Sequence, residues 1–269
     1  MTNDPTNLSQ QNDSSEIGLS EILTKVRAQT PARLLAGRSG AAYHTNTQLD
    51  LREAHASARD AVRAELALPT DLGNYFVRKW NLFEVCSRAT TKDEYLARPD
   101  LGRQLDDLSR VTVLERCAKG RDLQIMVGDG LSVSAVTAQV PQLLPLLCEG
   151  ATTRGWKVSE IFAIRHCRVG LLNEIGELLH PRVAILLIGE RPGLATAESL
   201  SAYMAYQPNA KHTDANRNLI SNIHKRGVSP EQAAQRILNL AASMMENKRS
   251  GSELRETLPE GFVLGQRDL

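Results

Sequence analysis

The chain has 269 residues, 42% hydrophobic and 23% charged, a balance that suits a globular protein with a sizeable core and excludes a wholly disordered or fibrous one. Lys and Arg (32) nearly cancel Asp and Glu (31), so the net charge of +1 supplies no global field for gathering nucleic acid or an anionic membrane. Aromatic residues make up only 4%, which argues against a base-stacking surface.

Cys86, Cys117, Cys148 and Cys167 are spaced too widely for a zinc ribbon or a thioredoxin-type pair and read as reduced, mostly buried thiols. Met1 to Ser15 is polar and lacks the apolar centre of a secretory signal. No apolar run reaches the ~20 residues of a spanning helix. A cytoplasmic location without membrane contact is the expectation.

Residues 1–16 have almost nothing to bury and read as a disordered tail. From Ile17 a short helical pattern sets Ile22, Leu23 and Val26 on one face, with Ser20 as cap, and ends before Pro31. The stretch from Thr30 to Thr47, with Gly37 and Gly40, suits an ordered loop. Residues 48–88 read as two helices. The first carries Leu49, Leu51, Ala54, Ala58, Ala61, Val62 and Leu66, and the second follows the break at Pro69-Thr70-Asp71. The expected layout is therefore a tail (1–16), a helical N-terminal region (17–91) and an α/β domain (92–269).

In that last part apolar bursts at 123–127, 161–164, 183–188 and 203–206 alternate with helix-like segments at 132–154, 171–179 and 196–202. LQIMV and VAILLI show no polar alternation, as expected of strands covered on both faces of a parallel sheet. The fold class is α/β, a Rossmann-like, mostly parallel sheet flanked by helices. A final helix runs from Ser229 to about Lys248. Ser229 caps it, Pro230 fits its first position, Gln232 completes a capping box, and Ala233, Ile237, Leu240, Ala241 and Met244 form its buried stripe.

Ligands of open α/β sheets lie beyond the carboxyl ends of the strands. The residues there are Gly128-Asp129-Gly130-Leu131-Ser132, Arg165-His166-Cys167-Arg168-Val169 and Gly189-Glu190-Arg191-Pro192-Gly193. Glycines permit close backbone approach, and Asp129, Arg168, Glu190 and Arg191 supply polar groups, a combination suited to a polar cofactor. Two alternatives stay open: the first string as a plain strand-to-helix turn capped by Ser132, the third as a turn with an internal ion pair. His166 and Cys167 are adjacent and would point to opposite faces of a strand, so they make no nucleophile pair. The dinucleotide and P-loop fingerprints are absent. No catalytic and no metal-ligating residue is assigned.

Taken in order, TPARLLAGRSGAAYHT, YLARPDLGR, DGLS, GERPGL with ESLSAYMAY, and ISNIHKRGVSPEQAA form a pattern that resembles the small (light) subunit of ethanolamine ammonia-lyase, from about Thr30 to Gly251. The resemblance implies a subunit of a carbon–nitrogen lyase that converts ethanolamine to acetaldehyde and ammonia by an adenosylcobalamin-dependent radical mechanism. It also implies a hetero-oligomer of six heterodimers. The large subunit would hold the substrate, contacted by the helical N-terminal region, while this chain would bind and orient the cofactor. Such a division of labour accounts for a chain without an acid/base constellation, because the cofactor carries the hard chemistry.

Carried over residue by residue, the cofactor contacts are Val169, Glu190 and Leu219. Glu190 would accept hydrogen bonds from corrin amides, and Val169 and Leu219 would give backbone and apolar contact. Arg191 is added because a guanidinium beside that carboxylate either orients it, meets the cofactor's phosphate, or forms only a structural salt bridge. Many relatives carry cysteine where Ala202 and Leu219 stand, so contacts there would run through the backbone. Asn222 to Gly227 comes close to the Asp-x-His-x-x-Gly pattern in which histidine ligates cobalt. Asn replaces the carboxylate that would polarise the ring, and His224 is expected to be packed or hydrogen-bonded near the nucleotide tail. Relatives housed in a bacterial microcompartment use N-terminal extensions of this subunit for encapsulation, so the segment around Ile17 to Val26 is either such a handle or a docking helix. The competing readings are a self-sufficient Rossmann-like enzyme with another cofactor and a non-catalytic assembly subunit.

Overall fold

In the computed structural model, which describes residues 21–27 and 36–256, the chain divides into two units. Of the described residues, 21–27, 36–56 and 194–196 form one, and 57–193 and 197–256 the other. In the first, residues 21–27 are helical, including the expected Ile22, Leu23 and Val26. The remainder of that segment and the 1–16 tail lie outside the described residues. The stretch expected as a loop closes into a two-stranded hairpin, β1 (Arg38–Ser39) against β2 (Ala42–Tyr43). Gly40 turns it at φ 63°, a value glycine adopts without steric cost. Helix α1 (Thr45–Arg63) then begins.

In the second unit a π-helical turn at Pro69–Gly73 leads into α2 (Asn74–Lys79). The helical reading of 48–88 fails beyond this point, because Phe83–Cys86 is strand β3. Its buried Phe83 and Val85 alternate with exposed Glu84, a period-2 signal that is weak over four residues. Next come α3 (Lys92–Ala97), capped by Thr91, and α4 (Asp107–Arg116), capped by Asp106. The α/β alternation follows: β4 (Leu123–Gly128), α5 (Val133–Thr153), β5 (Phe162–Arg165), α6 (Leu171–Leu179) and β6 (Val183–Gly189). Two strands, β7 (Leu200–Tyr206) and β8 (Asn218–Ile223), and helix α7 (Pro230–Asn247) complete the unit. Ser229 caps α7 by accepting from the amide of Gln232, as expected.

These strands form one sheet in the order β3-β5-β4-β6-β7-β8. The first four are mutually parallel; β7 runs antiparallel to β6, and β8 antiparallel to β7. The expected helix at 196–202 is not there, since Leu200 already pairs with Gly189 in the β6–β7 ladder. Pairing along all of β6 overrides the local helix preference of its Ala, Glu and Leu. The NLISNI sequence of β8 is half polar and lacks a regular apolar period, so it carries no strand signal of its own.

Both faces of the sheet are covered. Ile125, Val127, Ile185 and Leu187 pack with Val140, Leu144 and Leu147 of α5 and Ile237 and Leu240 of α7. Met126, Ile164, Leu186 and Ile188 pack with Leu171, Leu172 and Ile175 of α6. Each fully buried Leu or Ile contributes about 1.5–3 kcal/mol. Among the described residues no helix is long and apolar enough to cross a membrane.

Candidate cofactor cleft

Gly128 at the end of β4 is paired with Ile164 of β5 on one side and Ile188 of β6 on the other. The loops after these parallel strands therefore meet at one edge of the sheet, the position at which ligands of such sheets bind.

Asp129 faces inward rather than toward a ligand. It is 1% exposed, and its two oxygens accept the amides of His166 and Cys167, both at 2.8 Å. Burial pushes its pKa up, opposed by nearby Lys92 and these two amides. Ser132 caps α5 by accepting from the amide of Ala135 and donates to the carbonyl of Ala197. The glycines serve loop-to-loop contact. A Cβ on Gly189 would lie 2.0 Å from the Ser132 carbonyl oxygen, and one on Gly130 would lie 2.3 Å from that of Gly189. Gly128–Ser132 is a strand-to-helix turn capped by Ser132, and its Gly130 and Leu131 also line the cleft described below.

The loop that Asp129 holds carries His166 at φ 56° and then Arg168 and Val169. His166 donates from Nδ1 to the Ala89 carbonyl at 2.8 Å, and burial first of all raises the Cys167 thiol well above the ordinary range. The pair has no nucleophilic character. Tyr95, which composition and spacing gave no reason to select, underlies this loop. It is fully buried, donates to the Cys167 carbonyl at 3.0 Å, stacks on His166, and has the Arg168 guanidinium 4.1 Å from its ring centre.

Glu190 ties three strands together. Its carboxylate accepts from the hydroxyls of Ser201 at 2.6 Å and Ser199 at 2.7 Å and from the Asn222 amide at 2.8 Å. A carboxylate offers about four lone-pair sites, so about one remains for a ligand. No ion pair joins Glu190 to Arg191, and the exposed Arg191 makes none with any other described residue. The salt-bridge alternative is therefore absent.

One cleft of about 350 Å³ is lined by Val169, Glu190, Arg191 and Leu219 together with Gly130, Leu131, Arg168, Ile188 and Tyr203. All four residues singled out from the sequence as cofactor contacts meet there, although they come from three separate segments. Leu219 remains 46% exposed, an unpaired apolar surface at the rim. A larger cavity of about 1200 Å³ adjoins the cleft and shares Arg168, Val169 and Tyr203 with it. The space fits a corrinoid in kind, with apolar walls for a ring and polar groups for its amides; the cleft alone would hold only part of one.

His224 is 5% exposed. The Arg226 amide donates to its Nδ1 at 3.2 Å, which leaves Nε2 as the donor to Asn222 Oδ1 at 2.8 Å. Both nitrogens are used within the loop, and no lone pair remains for a metal.

Comparison with known proteins gives a consistent result. The family model described as ethanolamine ammonia-lyase light chain matches residues 20–255. The ethanolamine ammonia-lyase small subunit of Clostridium perfringens is 42% identical, with 87% of this chain and 78% of that one covered. That of Clostridium acetobutylicum is 38% identical over 87% and 95%, and that of Listeria monocytogenes serovar 1/2a is 42% identical over 86% and 77%. With this match over most of its length, the chain belongs to the ethanolamine ammonia-lyase light-chain family.

Proposed function

We propose that this chain, as the small subunit of an ethanolamine ammonia-lyase, binds and orients adenosylcobalamin at the carboxyl edge of its parallel strands. The single observation that carries this reading is the convergence of Val169, Glu190, Arg191 and Leu219 on one cleft. Glu190, fixed by Ser199, Ser201 and the Asn222 amide, presents an immobile acceptor for a corrin amide. Val169 and the half-exposed Leu219 supply apolar contact, and Arg191, in no ion pair with a described residue, donates to amide carbonyl oxygens of the ring. The cofactor, when bound, supplies radical chemistry; this chain supplies binding and orientation.

The partner is a large subunit that holds ethanolamine, in an assembly of heterodimers. Exposure of Leu49 on α1 and of Leu219 at the cleft rim agrees with surfaces that a partner covers.

Cobalamin titration of the co-expressed two-subunit enzyme, followed by absorbance, tests the proposal. Arg191→Ala, on the surface, and Glu190→Ala are each expected to weaken cofactor affinity by about tenfold, the equivalent of about 1.4 kcal/mol. Unchanged affinity in both variants would overturn it.

A further inference from the structure

The larger cavity beside the cleft has no role in the reading above, and neither has the Arg-Pro-Asp-Leu-Gly-Arg string that borders it. Two arginines there pack in a reciprocal way. A Cβ on Gly102 would lie 2.6 Å from Cγ of Arg168, and a Cβ on Gly170 would lie 2.9 Å from Cγ of Arg103. Each arginine stem thus rests on a glycine beside the other arginine, and the Arg168 amide donates to the Gly102 carbonyl at 2.8 Å. Both arginines line the larger cavity, and Arg168 lines the cleft as well.

Neither has a carboxylate partner among the described residues. Arg168 donates to the Tyr95 carbonyl at 3.1 Å, its Nε has no acceptor, and Arg103 forms no ion pair among the described residues. Two further lining residues are also short of acceptors. The Arg217 side chain is 6% exposed and its Nε is unpaired. His212 accepts at Nε2 from Asn209, which leaves an Nδ1–H without an acceptor. Three acidic residues of the cavity are paired with cations, Asp214 with Arg217, Glu174 with Arg110 and Asp100 with Arg98, and Glu177, bonded to the Ala210 amide, is the one carboxylate set against the unpaired Arg103 and Arg168 among the described residues. The unneutralised charge is positive, and it is carried by planar forks that match phosphate oxygens.

We propose that Arg103 and Arg168 form a phosphate-binding subsite in the cavity adjoining the cleft. This rests on the cofactor reading for the source of the anion, which is the phosphodiester of the cobalamin nucleotide loop. Arg191 is then left to the ring amides. Free phosphate is the other source of the same chemistry.

The test compares two corrinoids on the co-expressed two-subunit enzyme: cobalamin, which carries the phosphodiester, and cobinamide, which has the same ring without phosphate or base. Arg103 is exposed, so Arg103→Ala should fold, and a thermal melt checks that it does. The variant is expected to bind cobalamin about tenfold more weakly and cobinamide unchanged, while Arg168→Lys, which keeps charge but loses the fork, weakens cobalamin alone. An equal loss for both ligands, or no loss for either, overturns the subsite. If the unmodified enzyme binds neither corrinoid, the cofactor reading fails by itself and calorimetric titration with inorganic phosphate decides this inference. Binding that Arg103→Ala abolishes upholds an anion site, and no binding overturns it.

Discussion

The Lys92 ammonium lies 3.8 Å from the Asp129 carboxylate, with the two side chains only 6% and 1% exposed. Lys92 opens α3, whereas Asp129 follows β4 and fastens the amides of His166 and Cys167. One buried carboxylate therefore couples α3, the β4 loop and the loop that presents Val169. Asp129→Asn turns an amide nitrogen toward one of the two amide donors and leaves Lys92 without its counter-charge. Breaking a buried pair from one side costs about 3–5 kcal/mol, so a loss of that size in urea unfolding is expected. Adding Lys92→Met should recover part of it, because the orphaned charge is gone. Strictly additive losses in the double variant would show that the pair is not coupled.

Gly189 closes the β6 loop onto the β4 loop through backbone contact. Its missing Cβ would sit 2.0 Å from the carbonyl oxygen of Ser132 and 2.8 Å from that of Asp129, and neither atom belongs to a flexible side chain. Overpacking usually costs about 1–3 kcal/mol, and Gly189→Ala should reach at least the upper end. Urea unfolding measures the loss. A variant as stable as the unsubstituted chain would mean that the two loops are not held this close.

What local sequence could and could not reveal follows from the range of the forces involved. LQIMV and VAILLI announce buried strands by lacking alternation, and the expected helix at 171–179 has the same limits as α6 because its apolar face and flanking turns are local features. β3 and β8 are short or polar edge strands whose conformation is imposed by their neighbours, so their own residues say little. The loops of the cleft were legible as loops. Their internal roles were not, since the Asp129 contacts to His166 and Cys167 span 37 and 38 residues. Leu219 reaches the cleft only because β8 pairs with β7 beside Tyr203, a neighbour relation that no local pattern encodes.

Burial, and after it the charge of Arg226, lowers the pKa of His224 from its ordinary value of 6.5, and the amide donated to Nδ1 gives the same preference for the neutral ring. The folded value thus lies below the unfolded one. The unfolded chain takes up its proton first as the pH falls, so stability from this group is complete above about 6.5 and declines below it. His212, lowered by burial and by Arg217, acts in the same direction. The melting temperature should fall between about pH 7.5 and about pH 5.5, and His224→Gln should flatten that dependence, with His212→Gln flattening it further. An unchanged slope in the double variant would remove both histidines as its source.

The thiols give a chemical readout of loop closure. Burial, reinforced by Glu160 and Glu149, pushes Cys117 and Cys148 up to about 12. Cys167 is raised well above the ordinary range by burial and then by Asp129, and Cys86 is raised by burial against the opposing charge of Arg165. The thiolate is the reactive form, and a pKa near 12 leaves on the order of one part in ten thousand ionised at about pH 8. Iodoacetamide at that pH should therefore spare Cys117, Cys148 and Cys167 in the folded protein, modify Cys86 first, and reach all four in urea, as read by peptide mass spectrometry. Cys167 is the informative position. Its sulfur occupies the space beside Gly128, where a Cβ would approach within 2.9 Å, so it becomes accessible only if the loop carrying Arg168 and Val169 separates from the end of β4. Alkylation of Cys167 as fast as in urea would mean that this wall of the cleft is open in solution rather than pinned by Asp129.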